Sequence, residues 1–348
     1  MKLELLEPGD RRVESIWRGL EARADASYFL SWGWIENWLA CLPRAVRPQL
    51  AVLADAGEPA AAAFVAFRRV LRHHLLPTRA VFLNATGVPR YDELCIEHNG
   101  LLRARAVPLA ALVDALPRGW HEVVLPGVDA AELASLPSVR IEREVGSPFV
   151  DLARVRTAPG GYLSLLSPGV RAQIRRARRG LGELAFERAR DLGEAEEIYG
   201  ELVALHQASW SAREEPGAFA DPWFDGFHRR LVAQRFATGE IELVRVRAAG
   251  RTIGCLYNLV HRGRVVFYQS GLARDADPRI KPGLVCHAAA IADAAARGLA
   301  VYDFLGGDAR YKRELATGST QLVWARVQRP LARFAVEDRL RAWKHALV

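Results

Sequence analysis

Several groups of side chains in this sequence could move a proton or hold an anion. Toward the C-terminus, Asp303 interrupts the apolar run Val301-Tyr-Asp-Phe-Leu, and Gly306-Gly307 and the Tyr311-Lys312 pair follow it. A carboxylate among apolar residues is costly unless it is paired or opens on a cleft. Asp303 is therefore read either as a group that binds or orients an amine, or as a structural cap or ion pair, with Lys312 as partner. Strand alternation puts it on one face with Val301 and Leu305. The Tyr311 phenol could donate a proton or simply pack as an amphipathic core residue. Lys312 could hold an anionic substrate group or stand solvated. His206 and Trp210 lie one helical turn apart and share a face. By residue type His206 is a candidate general base, with a packed histidine beside tryptophan as the alternative.

Anion binding has three further candidates. Pro282 opens a helix whose early N–H groups, those of Gly283, Leu284 and Val285, lack intrahelical partners and favour an anion. Arg279 and Lys281 add positive charge, although a plain helix start with a solvated basic flank reads the same way. The run Arg171 to Arg179, which includes Arg175, could recognise a phosphate- or carboxylate-bearing acceptor or form a solvated face. Asp92, in Arg90-Tyr-Asp-Glu after a Gly-Val-Pro turn, is read as lining an interdomain groove on the acceptor side.

Composition narrows the classes. The 348 residues are half hydrophobic, enough for about two domains. No run approaches the ~18 apolar residues of a membrane span, and the charged start lacks the apolar stretch of a signal peptide. A soluble cytoplasmic protein is the expectation. The four cysteines form no CxxC pair, and the histidines form no HxH or HExxH spacing, so no metal is expected. The net charge of +8 suits phosphates, acidic sugars, nucleic acid or coenzyme A without choosing among them.

These residues must be positioned by a definite series of elements. The N-terminal half reads as helices at 13–24 and from Ser31, strands at 49–54, 60–68 and 80–84, a helix at 101–116 and a strand at 121–125. Arg156-Thr-Ala-Pro-Gly-Gly is the linker candidate. After the arginine-rich helix that starts at Ser167, helices span 192–213 and 222–238. A three-stranded meander covers 240–270 with turns at Ala249-Gly250 and Arg262-Gly263. Then come a helix at 283–297, a strand at 300–305, a helix at 308–315 with Asp308 as N-cap, a strand at 321–327 and a last helix at 331–346. This order makes a mixed α/β sheet.

Meander, helix, strand, helix, strand resembles the core of the GNAT acyltransferases. Leu205-His-Gln-Ala-Ser-Trp210 with Arg213-Glu-Glu-Pro-Gly-Ala-Phe219, and Tyr302-Asp-Phe-Leu-Gly-Gly-Asp-Ala-Arg-Tyr-Lys-Arg313, resemble signatures of the CelD/BcsL-type acetyltransferases. Ser27 to Leu42 resembles their tryptophan-rich segment. The family is similar to the Fem-type aminoacyl transferases, which carry two GNAT-like domains. The resemblance implies two tandem GNAT-like domains, 1–155 on the acceptor side or structural and 156–348 with the acyl-CoA site. It implies transfer of an acyl group, acetyl by expectation, from acyl-CoA to a small-molecule or saccharide amine such as an amino sugar or polysaccharide precursor. It gives Tyr311 the role of protonating the departing thiolate. The usual Q/R-x-x-G-x-G/A fingerprint is imperfect here, since the segment reads Arg279-Ile-Lys-Pro-Gly283-Leu. Two other readings stand beside this one: a Fem-like transferase using aminoacyl-tRNA, and a non-catalytic scaffold in polysaccharide assembly.

Overall fold

The computed structural model describes residues 1–337 and 339, with His74 and Cys95 excepted. The chain forms two compact units, one of 1–35, 42–144 and 321–348, the other of 36–41 and 145–320. It thus passes into the second unit at 144/145, where the sequence suggests 155/156. The reason is local. The suggested linker begins in a short helix that packs inside the second unit, and the residues after 320 return to the first.

In the first unit β1 (Lys2–Leu6), α1 (Arg12–Glu21) and α2 (Trp32–Cys41, whose residues 36–41 belong to the second unit) precede a hairpin of β2 (Gln49–Asp55) and β3 (Glu58–Arg72). β4 (Leu76–Leu83), β5 (Leu102–Arg103), α3 (Leu109–Ala115) and β6 (Glu122–Asp129) follow. A long strand β7 (Val139–Asp151) is divided between the units. The sheet order in the first unit is β1-β2-β3-β4-β6-β13, where β13 spans Gly318–Gln328. Trp17 is fully buried against Phe64, its ring centroid 5.1 Å away, and its indole N–H donates to the Leu30 carbonyl at 2.9 Å. The helix expected over 101–116 begins only after Pro108, whose own backbone is extended (ψ 149°). Proline restricts the residue before it and suits a helix start.

The second unit continues with α4 (Leu152–Thr157), α5 (Pro168–Leu181), β8 (Leu184–Arg188), α6 (Leu192–Ser211) and α7 (Pro222–Arg235). The meander is β9 (Ile241–Ala248), β10 (Arg251–His261) and β11 (Arg264–Leu272). Then come α8 (Pro282–Ala296), β12 (Val301–Asp303) and α9 (Arg310–Leu315). The sheet order is β7-β12-β11-β10-β9-β8, with β11 and β12 parallel and the other pairs antiparallel. The meander turns are two-residue hairpins with positive φ at both central residues, Ala249/Gly250 and Arg262/Gly263, as the right-handed twist of the strands favours.

Alternation along β10 sorts the helices onto opposite faces. Leu256 joins the core with α5 and α8, while Tyr257 packs on Tyr199 of α6 and His228 of α7. The fold is therefore the mixed α/β sheet that the sequence suggests. The strand expected over 300–305 stops at Asp303, and Asp308 is not the N-cap of α9. Ala309 occupies that position and makes no side-chain cap bond. The last expected helix is seen over 332–337 and at 339, and its remainder lies outside the described residues.

Candidate active site

The site begins with a defect in the sheet. β11 and β12 pair only over Arg264↔Val301, Val265↔Tyr302 and Val266↔Asp303. Beyond that point β12 ends, and β11 runs on to Leu272 paired with β10 alone. The β10–β11 ladder takes in one extra residue at Tyr268, where Tyr257 faces Gln269 and Asn258 faces Phe267. An extra residue of this kind is a β-bulge, and it changes which side chains face which way. Phe267 faces His287 of α8 (4.5 Å between centroids) and Tyr268 faces His228 of α7 (4.8 Å). Five residues after Phe267, Leu272 is again on the α8 side. A Cβ on Gly283 would come within 2.8 Å of it, while a Cβ on Gly271 would strike the Leu202 carbonyl at 2.2 Å. Regular alternation would have put Leu272 opposite Phe267, so the bulge directs Ser270 and Leu272 toward α8.

They line a cavity of about 450 Å³ together with Lys281, Gly283, Leu284, His287, Arg310, Tyr311 and Glu314. Leucines and aromatic rings form much of its wall, and an Arg310–Glu314 ion pair (2.7 Å) belongs to it. α8 starts at its edge, with Lys281 as N-cap and Pro282 in the first turn. Pro282 has no N–H to offer, and Leu284 N–H already donates to the Lys281 carbonyl at 3.2 Å. The N–H of Gly283, with no side chain beside it, is the first donor of the helix. The Lys281 ammonium rests 3.3 Å from Gln173 of α5. Arg279 is not a lining residue. Its guanidinium makes a bidentate pair with Asp277 (2.7–3.0 Å), which holds that carboxyl down at about 2. Val285 is core. Of the five residues expected to hold the donor, the structure brings Lys281, Gly283 and Leu284 to the cavity.

Tyr311 also lines it, stacked on His287 with centroids 5.5 Å apart and planes at 17°. Burial pushes its phenol up to about 12. His287 was not anticipated from the sequence, where a lone histidine in an alanine-rich helix looks like core. It is buried, and its Nδ1 lies 3.1 Å from the hydroxyl of fully buried Tyr302. Burial, and after it the Lys312 charge, lowers its pKa to about 3, so the ring is neutral at pH 7. The hydrogen-bond direction follows from counting donors. Tyr302 Oη has no other polar partner among the described residues. Were Nδ1–H the donor, the buried phenol hydrogen would go unsatisfied at a cost of about 1–3 kcal/mol. Tyr302 therefore donates to Nδ1, which leaves the proton of the neutral ring on Nε2.

The segment after β12 is held from inside. Asp303 is buried, and its Oδ1 accepts from the Leu305 N–H at 2.8 Å and from the Ser147 hydroxyl at 3.4 Å. Leu305 has φ +59°, uncommon for a side chain of this kind. Asp303 thus stabilises a turn, and since the strand has ended, the expected shared face with Leu305 does not exist. The Lys312 ammonium donates to the Gly306 carbonyl at 2.8 Å. Tyr162 Oη donates to the Leu315 carbonyl at 2.6 Å and ties down the other end of α9. A second depression of about 380 Å³ is bounded by Gly146, Pro148, Gly307, Asp308, Arg313 and Gly318, among others. Arg313 of α9 lines this depression, and Arg310, Tyr311 and Glu314 line the first, so both border α9.

The remaining candidates lie elsewhere. His206 is buried on the α6 side of the sheet, against Phe219 (4.9 Å) and Trp210 (5.7 Å), with its pKa lowered by burial. Trp210 in turn carries the Arg213 guanidinium at 5.4 Å. Arg175 is exposed on α5. Asp92, in the first unit, accepts from Thr86 N–H, Thr86 Oγ1 and Gly87 N–H at 2.7–2.8 Å, and so organises its own loop. Burial nonetheless raises its pKa.

Comparisons with known proteins bear on the fold that carries this site. Residues 168–313 match the family model described as acetyltransferase (GNAT) domain. No curated protein matched. Among solved structures the chain is similar to FemX, with TM-score 0.58 and 10% identity over 89% of this chain and 95% of that one. It is similar to L-PGS from Bacillus licheniformis, with TM-score 0.54 and 12% identity over 94% of each chain. A conserved protein of unknown function from Bacteroides thetaiotaomicron aligns with TM-score 0.52 and 12% identity, over 94% of this chain and all of that one. At such identities these likenesses concern the fold. The bulged strand, α8, the first residues of α9 and every cavity-lining residue except Glu314 fall inside 168–313, the segment that matches the GNAT acetyltransferase model.

Proposed function

We propose that the chain transfers an acyl group, acetyl in the simplest case, from acyl-CoA to an amine, with the donor in the cavity framed by β11, α8 and α9. The observation that carries this reading is the parting of β11 from β12 beside a helix N-terminus. An extended thioester can lie along the unpaired edge of β11 while its pyrophosphate meets Gly283 N–H and Lys281. The lining residues fit such a ligand: leucine side chains, a cation in Lys281 and a phenol in Tyr311. Acyl-CoA supplies the activated carbonyl; the chain supplies position and protons. Tyr311 donates its proton to the sulfur as the C–S bond breaks, and a phenol raised to about 12 keeps that proton until the thiolate forms. The acceptor nitrogen forms the new bond and loses its own proton to solvent or to a base of the acceptor pocket.

The depression past Gly307 suits the acceptor side, because glycines let a ligand approach the backbone closely. The signatures around 205–219 and 302–313 favour a CelD/BcsL-type enzyme, and with it an amino sugar or polysaccharide precursor as acceptor. A second reading, Fem-like transfer from aminoacyl-tRNA, is favoured by one observation. Arg175, Arg176, Arg178 and Arg179 are exposed on α5, and none forms an ion pair among the described residues. Thermal melts with acetyl-CoA and with aminoacyl-tRNA separate the two. A ligand at 100 times its Kd adds about 2.7 kcal/mol, so an upward shift with acetyl-CoA alone supports the first reading. A shift with neither refutes both.

A further inference from the structure

The cavity holds a polar group that the acyl-transfer reading has not yet used. His287 sits deep in the wall, one and a half turns into α8. Its Nδ1 is engaged by Tyr302, Phe267 and Phe304 stand steeply inclined to it with centroids 4.5 and 5.3 Å away, and Tyr311 lies beside it in a near-parallel plane. Four aromatic neighbours fix the ring, and the Tyr302 hydroxyl fixes the tautomer. A neutral imidazole with its proton on Nε2 is a single hydrogen-bond donor, held still, in a wall that is otherwise mostly apolar.

Resting on the acyl-CoA reading, we propose that His287 Nε2–H donates to the carbonyl oxygen of the bound thioester, with Tyr302 as the residue that positions it. The stacking geometry supports the pairing of roles. A thioester carries its oxygen and its sulfur on one carbon, so the groups serving them must be neighbours. His287 and Tyr311 are neighbours in parallel planes, 5.5 Å between centroids. As the amine adds, negative charge gathers on the oxygen and the fixed donor stabilises it. When the C–S bond breaks, the electron pair leaves on sulfur, which takes the Tyr311 proton, and the carbonyl re-forms as the product amide. His287 stays neutral throughout, as burial and the nearby Lys312 charge favour.

The test is the infrared band of the thioester carbonyl in [1-13C]acetyl-CoA bound to the full chain. A hydrogen bond weakens the C=O bond, so the bound band should fall below that of the free ligand. His287→Phe, which keeps a stacked ring, should return the band toward the free position. It should also cut the preference for acetyl-CoA over CoA by about tenfold, with CoA itself bound nearly as before. His287→Gln, with an amide N–H near the lost one, should restore part of the shift. Tyr302→Phe preserves volume, releases the tautomer and should weaken the shift; it serves if His287→Phe does not fold. An unshifted band in the wild-type complex overturns the proposal, as does an equal loss of CoA and acetyl-CoA affinity in His287→Phe. If acetyl-CoA does not bind at all, the acyl-CoA reading itself has failed.

Discussion

At the scale of single residues, neighbouring side chains have separable duties. Tyr311→Phe should lower kcat by about 10²–10⁴ with little change in KM, because proton donation to the leaving sulfur belongs to the transition state. Steady-state kinetics on an amine acceptor decides it; an unchanged kcat removes Tyr311 from the mechanism. Asp303 is expected to act on the turn. Asp303→Asn keeps an acceptor for Leu305 N–H, whereas Asp303→Ala leaves that buried donor open and should cost about 1–3 kcal/mol, measured by denaturant unfolding. His287 and His228 are both lowered by burial to about 3. In the unfolded chain they take up protons near pH 6.5, so between about 3 and 6.5 the unfolded state binds more protons. Stability is then full above pH 6.5 and is lost as the pH falls toward 3, at up to about 1.4 kcal/mol per pH unit for each ring. Replacing either by glutamine should flatten that slope. Tyr311, Lys281 and Gly283 could be picked from the sequence because Tyr-Lys and Pro-Gly stand out. His287 and Tyr302 could not, since their value comes from a contact between residues fifteen apart on different elements.

At the scale of elements, the β11 bulge and the start of α8 define the cavity. Gly271 lies on the α6 side, where any Cβ meets backbone. Gly271→Ala should destabilise by about 1–3 kcal/mol or more, visible as a lower melting temperature; no change would mean that α6 moves aside freely. The two cations expected to serve α8 should behave differently. Lys281→Glu places a carboxylate at the cavity edge and should weaken CoA binding by about tenfold or more, while Arg279→Glu, already turned to Asp277, should change it by less than about threefold. Equal effects in calorimetry would contradict the geometry. The helices and the meander were legible because apolar residues recur at 3.6 and 2 and Ala-Gly and Arg-Gly mark the turns. β7 was not: Arg140, Glu142, Arg143 and Glu144 resemble a solvated loop, and Gly146 and Pro148 look like its end. The bulge was hidden too, because a shift of register leaves no trace in the pattern of a short apolar strand.

At the scale of the whole molecule, the chain order of the two units matters. The first unit is discontinuous, and its residues 321–328 form the strand that pairs with β6. Ending the chain at 320 should therefore expose the β6 amides to hydrogen exchange, while those of β9 and β10 in the second unit stay protected. If β6 stays protected, the assigned pairing is not what stabilises it. The same arrangement has a consequence for biosynthesis. β6 leaves the ribosome nearly two hundred residues before its partner, a delay of roughly ten to forty seconds at ordinary elongation rates of about 5–20 residues per second. Through that interval the nascent chain carries a valine-rich strand edge with nothing beside it. Such an edge invites pairing with other chains, so the yield of folded protein should respond to translation speed and to chaperone supply more than to the stability of the finished fold.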